Sequence, residues 1–597
     1  MKMKLNLKTK AKISEKKIII DCFDKILVSY CDGVSLVCCE ECIRSRFINT
    51  RKDRANLRSA NTTGLKCDKI FDSLVNSLIS LLREDKRLLD EFNRRKVFII
   101  DKNTLSISWE YVMPVSDCSV CGCMLIDSIN IAQILGQSIL DDVYGDESIP
   151  FRSKNYKEVA KRVEKFALSK NFGIITTLLD NFDGPFPISV AMLPLEDGRD
   201  EPGTGRTSSL EKSRAIALFE AMERYGGFIP RAKKTIIFDS YNALKREGRE
   251  ILDVGRLILN QDSVTNAGIY KNDKFRFSYD EAYHWIYGYD LTNEKALLLP
   301  EAVAYYGMTL KSEKYRREII TYEVSNGCSV GVTLTESAYG GVLEVVERDA
   351  FLTSWYTDRS IRRLVLDKFF MARRGSFQQE FEKFQNFYSD FRVDIYEISC
   401  ETRIPVVLMT LTRKRTCIDR MNFMCAAAAD ADVVEAMRKA MHEISSIFVG
   451  LQKRFKDEYE QIVKKAENMW RVESMDDHSL IWGYYKNLEK INFAYQVKDS
   501  IDVSQYIRSR KKFNCLNEAF KAVLEDLKKN GRDVIFINQT TPEMQVMKIY
   551  CSKILIPGLL PMTFGAQNAR ISRKRINELE KKERRSLGIN FIPHPFP

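Results

Sequence analysis

Residues 325–350 read SNGCSVGVTLTESAYGGVLEVVERDA, and the second half sets charge against apolarity. Its length and apolar spacing predict a helix. That helix carries Glu344, Glu347 and Arg348 as E-x-x-E-R among Val342, Leu343, Val345 and Val346. Carboxylates three positions apart share one helical face. A carboxylate in so apolar a helix must be paired or bound to a cation. Upstream, Gly327 and Gly331 predict a flexible loop to which Ser325, Asn326 and Ser329 add polar groups.

The same motif occurs earlier, in LFEAMERYGG, as Glu220, Glu223 and Arg224 bracketed by Ala217, Leu218, Phe219, Ala221 and Met222. Four carboxylates with only two adjacent arginines point to a divalent metal, and oxygen-only ligands suit Mg2+. Mg2+ held by carboxylates usually carries substrate phosphates as well. The chain holds no G-x-x-x-x-G-K-[ST], so the reading is a nucleotide-phosphate site built on two helices without a P-loop. GTGRTSSLEKSR before the first helix reads as a second Gly/Ser-rich loop with cations. AAAADADVVEAMRKAMHEISS reads as a third helix, with Asp430 and Asp432 near its start and Lys439 and Glu443 one turn apart. Alone, that segment would be an ordinary surface helix.

Around these segments, short β-rich runs (FGIITTLL, FPISVAML, RIPVVLMTLT) alternate with helical patterns, which predicts an α/β or mixed α+β domain. We place it at residues 151–597, behind a linker at 131–150 and a module at 1–130. The module holds VCCEECIRSRF and DCSVCGC, and so the pairs Cys39/Cys42 and Cys118/Cys121. Two such knuckles make a tetrahedral thiolate site for structural Zn2+; unrelated thiols or a redox pair are the alternatives. The other nine of the 15 cysteines stand singly among apolar neighbours and read as core. Apolar content of 45% and charged content of 29% are those of a globular protein. No apolar run approaches a membrane span, and the basic start lacks the apolar core of a secretory signal, so the expected location is cytoplasmic. The net charge of +12 is spread among acids rather than clustered with aromatics, which argues against nucleic acid.

Taken together, SNG-C-S-x-G followed by ESAYGGVLEVVERDA, and the loop leading to EAMERY, resemble the YcaO family, whose members use ATP to activate a peptide amide. The resemblance implies a non-P-loop ATP site in which Glu220, Glu223, Glu336, Glu344, Glu347 and Glu443 gather Mg2+ and phosphates. Arg224 and Arg348 would contact phosphate, with Ser329, Lys439 and Lys154 as further candidates. The chain departs from the family pattern at Val332, where Asn is common, at Lys439, where Arg is usual, and at GTG, where GKG is frequent. CEECIRSRF and PVSDCSVC resemble zinc-binding pieces of the ubiquitin-activating-enzyme-like scaffold that accompanies azoline-forming members. Its shortness here implies a truncated scaffold and a partner chain for leader recognition. A flavin dehydrogenase and a second copy of this chain are further partners the resemblance allows. The implied activity is ATP-dependent cyclodehydration of Cys, Ser or Thr in a ribosomal precursor peptide. Thioamide formation and an inactive, zinc-bearing peptide-docking scaffold stay open as alternatives.

The last seven residues, FIPHPFP, resemble the P-x-P-x-P ending of azoline-forming members, with Pro593, Pro595 and Pro597 in the three places. Alternating prolines favour a stiff polyproline II rod, which loses little entropy on docking. The expectation is that the charged helix before it stops at Leu587–Gly588. The rod then enters the catalytic pocket, where His594 or the final carboxylate orders proton transfer; a frayed tail is the alternative.

Overall fold

The computed structural model describes residues 16–22, 24–31, 38–52, 69–84, 95–145, 156–259, 263, 275–308, 313–373, 375–494, 497 and 499–597. Near the N-terminus, strands Lys16–Cys22, Lys25–Cys31, Arg95–Asp101 and Ile107–Val112 form one antiparallel sheet in chain order. RKVFIID is apolar without alternation because both faces of its strand are covered. Val97 and Ile99 point with Leu27 towards the helix Glu40–Asn49 (Ile43, Phe47). Phe98 and Ile100 point with Ile26 and Val28 towards the helix Lys69–Glu84 (Val75, Ile79, Leu82). Side chains alternate across a strand, so one run serves two layers.

Three further sheets build the larger body. A meander of Thr177–Asn181, Ile188–Pro194 and Asp200–Arg206 carries the helix Leu210–Phe228. A six-stranded antiparallel sheet includes Cys328–Gly331, Ile535–Asn538 and Tyr550–Leu555 and packs under the helix Leu334–Tyr356. A five-stranded sheet includes Val406–Arg413 and Phe423–Ala429 and supports the helix Val433–Asp457. The expected mixed α and β fold is what the chain adopts, with antiparallel pairing dominant. Among the described residues no helix is long and apolar enough to cross a membrane.

Four local expectations need correction. Residues 131–144, read as linker, belong to the helix Ile129–Tyr144, whose Ile139, Leu140 and Val143 lie in the main core. Its Gly136 lies flat on the Tyr289 ring, with no space for a Cβ. GTGR is strand, not loop. Its glycines let the strand touch the helix above: a Cβ on Gly205 would lie 1.7 Å from the Ser213 carbonyl oxygen. Ala426–Ala429 end a strand, and the third helix begins only at Val433, capped by Asp432. The last helix, Arg573–Glu583, closes on Arg584 in the left-handed region (φ +54°), and Gly588 instead donates its N–H to Asp358.

Candidate active site and thiol quartet

In Leu334–Tyr356 almost every side chain is buried; the exceptions are Leu334, Glu336, Gly340, Glu344, Glu347 and Arg348. Spacings of three and four put Glu336, Gly340, Glu344 and the Glu347–Arg348 pair on one stripe of the helix. Glu344 and Glu347 keep 25% and 15% of their side-chain surface, and Glu220 and Glu223 on the first helix keep 20% and 18%. The E-x-x-E-R groups thus line a cleft, packed by protein on most sides and open on one. Burial and the charge of Glu344 hold the Glu223 carboxyl well above the usual range, even beside Arg224. Burial pushes Glu347 up to about 7, with Glu344 and Glu443 adding to the rise. The two Glu pairs and Glu443 therefore share one space, and Glu223, Glu344 and Glu347 in it lack part of the positive charge they need.

Backbone amides and cations fix these groups. Thr204 donates its N–H to Glu220, and Ala429 donates to Glu347 at 2.8 Å. The Gly327 loop turns through the left-handed region (φ +79°) and offers its own amide to Glu344. Ser329 Oγ lies against Gly340, where a Cβ would come within 2.3 Å of it. Arg224 bonds Glu220 at 2.9 Å and stands 3.7 Å from Glu223; Arg348 stands 3.6 Å from Glu344 and 3.9 Å from Glu347. Arg224 Nε, Arg348 Nη1 and Asn326 Oδ1 are buried without a hydrogen-bond partner. Orphaned donors among raised carboxylates fit a guest carrying both oxyanions and divalent cation, as Mg-nucleotide does. Lys439 pairs with Asp430 at 2.7 Å, and Glu443 pairs with Arg206 at 2.8 Å. Glu336 accepts from the Val332 amide, within its own helix entry. Arg206 was not singled out in the sequence, since a lone cation in a strand carries no pattern. Lys154 lies outside the described residues.

The Glu carboxylates do not close on a single point. Among the described residues, Cys39, Cys42, Cys118 and Cys121 are the one set of three or more ligand-type side chains gathered within reach of one ion, all four Sγ within 4.8 Å of one another. The Sγ separations are 3.7 Å (Cys39–Cys42), 3.5 Å (Cys39–Cys118) and 3.3 Å (Cys42–Cys121). A tetrahedron of zinc–sulfur bonds of about 2.3 Å has edges of about 3.8 Å, so the quartet could hold a metal with little movement. Cys39 caps the helix Glu40–Asn49, and burial pushes its thiol up to about 11. From this helix Arg46 reaches into the larger body, where it meets Glu543 at 3.1 Å; both are almost fully buried. Glu543 also accepts from Ser116 N–H and from Tyr225 Oη, on the Glu220 helix.

The tail is docked, not frayed. Trp355 Nε1 donates to Ile592 O at 2.8 Å, Trp482 Nε1 to Pro593 O at 3.0 Å, and His478 Nδ1 to His594 O at 2.8 Å. Pro593, His594, Pro595 and Phe596 are buried. His594 lies 4.2 Å from the His478 ring and donates Nε2–H to Thr563 O. Burial holds it neutral, far below the ordinary imidazole value. His594 is therefore an anchor of the tail, fully enclosed, and not a base presented to the cleft. Pro597 keeps partial exposure, and the Phe596 ring reaches Arg348, with the guanidinium carbon 4.4 Å from its centroid.

Comparisons with known proteins agree with this geometry. No curated protein matches the chain. A solved structure described as a heterocyclase in complex with substrate and cofactor superposes with a TM-score of 0.70 at 17% identity, covering 97% of this chain and 78% of that one. The heterocyclase TruD superposes with a TM-score of 0.61 at 16% identity, covering 97% of this chain and 75% of that one. At such identities these establish a shared fold. The family model described as YcaO cyclodehydratase, ATP- and Mg2+-binding, matches residues 204–560, a span that includes both E-x-x-E-R helices and the Glu443 helix. The chain belongs to the YcaO family.

Proposed function

We propose that this protein is an ATP-dependent, azoline-forming cyclodehydratase acting on Cys, Ser or Thr of a ribosomally made precursor peptide. The observation that carries this reading is the cleft between the two E-x-x-E-R helices, where raised carboxylates stand beside buried, unpartnered guanidinium N–H groups. Glu220, Glu223, Glu344, Glu347 and Glu443 would hold Mg2+, and Arg224, Arg348, Ser329 and Lys439 would meet the phosphates. Bound ATP supplies a phosphoryl group that turns the former amide oxygen into a leaving group. The chain's own part is electrostatic: fixed donors in a partly dewatered cleft face charge that develops during transfer. Glu443 must leave or share Arg206 to take part, so Arg206 joins the set of groups that respond to nucleotide.

The thiol quartet would hold Zn2+ as a structural ion, since all four positions are protein ligands. The tail, fixed by indole and imidazole donors and touching Arg348 through Phe596, supports azoline chemistry over thioamide formation by its resemblance to the P-x-P-x-P ending of azoline-forming members. A partner that recognises the leader completes the proposal, with the precursor peptide as substrate; the neighbour in complex with substrate and cofactor supports a state in which both are bound. Co-expression with a precursor peptide and mass spectrometry tests the reaction. Loss of one water per modified residue is expected, whereas exchange of oxygen for sulfur would mark thioamide formation, and an unchanged peptide that stays bound would mark a docking scaffold. Adding a leader-binding protein should raise the rate; full leader-dependent turnover by this chain alone would remove the partner from the proposal.

A further inference from the structure

Arg348 is held by a surface and not by hydrogen bonds. Its carboxylate neighbours, at 3.6 and 3.9 Å, lie beyond ordinary hydrogen-bond distance, and its Nη1 is buried without a partner. What lies close is the face of Phe596, 4.4 Å from the guanidinium carbon. Phe596 is 1% exposed and also packs on Phe351, ring centroids 4.6 Å apart, three residues further along the helix that carries Arg348. The ring's own place is set by the tail backbone, whose carbonyls at Ile592, Pro593 and His594 each receive a side-chain donor.

An arginine left to itself samples many rotamers, and fixing it costs entropy. A carboxylate clamp would fix it but would consume the N–H edge. A ring takes only the face of the planar cation and leaves the in-plane donors free. We infer that Phe596 is a positioning residue: the docked tail holds the Arg348 guanidinium so that its unpartnered Nη1 is kept for a guest beside the Glu344 and Glu347 carboxylates. This rests on the nucleotide reading of the cleft. It also differs from a division in which the tail serves cyclisation and the glutamate helices alone serve ATP, because a tail residue then bears on nucleotide affinity.

The test uses the full chain. Phe596→Leu keeps an apolar side chain and most of its volume while removing the ring face; Phe596→Tyr keeps the ring. The Leu variant should bind Mg-ATP about tenfold more weakly, raising KM for ATP more than it lowers kcat, with adenosine affinity unchanged. The Tyr variant should restore binding, and Phe596→Leu added to Arg348→Ala should cost nothing more. In nucleotide-free protein, phenylglyoxal labelling of Arg348, read by mass spectrometry, should rise in the Leu variant alone. Parent-like ATP binding and labelling in Phe596→Leu would overturn the inference, as would equal weakening of adenosine and ATP. If the parent binds no Mg-ATP while labelling still rises, the ring positions Arg348 and it is the nucleotide reading that fails.

Discussion

At the residue scale the cleft is a place where desolvation outweighs pairing. Arg348 and the Ala429 amide both favour ionised Glu347, yet burial still pushes it up to about 7. Removing such a charge relieves a cost, so Glu344→Gln and Glu347→Gln should melt no lower than the parent while losing at least about tenfold in Mg-ATP affinity. Calorimetry beside a thermal melt checks both halves; unaltered affinity in both variants would free these carboxylates from metal. The glutamates were legible because a charge inside an apolar helix breaks the pattern that makes the helix. Arg206 and Phe596 were not, because each breaks no local rule. Their meaning lies in contacts that folding creates: Arg206 also donates to Ser446, 240 positions away.

At the scale of elements, glycine had two readings and local sequence favoured the wrong one. GTGR looks like part of a Gly/Ser-rich loop by composition, whereas Gly203 and Gly205 serve close approach of a strand to the Glu220 helix. Gly205→Ala should therefore act through packing, costing about 1–3 kcal/mol of stability, with the melt shifted before any change in residual ATP affinity. The helix Ile129–Tyr144 was overlooked although Ala132, Gly136, Ile139, Leu140 and Val143 recur at helical spacing, because the acidic and glycine-containing stretch that follows Leu140 reads as a linker. The tail makes a pH prediction. His478 is lowered to about 4 by burial and His594 well below its ordinary value, so the unfolded chain binds protons that the native state does not. This part of stability is constant above about 6.5 and is lost as pH falls from there towards about 4. Protection factors of the amides of residues 590, 591, 592, 594 and 596, corrected for intrinsic exchange, should fall over that window, and His478→Asn should flatten the response to acid.

At the scale of the whole molecule, the two C-x-x-C spacings foretold a quartet, but nothing in them foretold its attachment. Arg46 carries the thiol module's helix into the larger body and ends between Glu543 and Tyr225. Breaking a buried pair leaves an uncompensated charge, so Arg46→Leu should cost about 3–5 kcal/mol, read by denaturant unfolding. Elemental analysis of protein purified without chelator should find zinc, and Cys118→Ser should abolish it. The same variant should loosen Arg46 and weaken Mg-ATP binding at a distance, since Tyr225 belongs to the helix that carries Glu220 and Glu223. A zinc-free parent would end the metal assignment.

The ion pair Arg46–Glu543 also bears on how the chain is made. Its partners are 497 positions apart, while the thiol pairs joined across the quartet are 79 apart. At about 5–20 residues per second, synthesis puts the thiols together early and leaves Arg46 waiting roughly half a minute to a minute and a half for its carboxylate. During that interval the thiol quartet can gather, but the module cannot complete its surface. Completion of its surface thus waits for Glu543, and a nascent chain stalled before that residue would carry a gathered thiol quartet beside a bare guanidinium where the larger body should be.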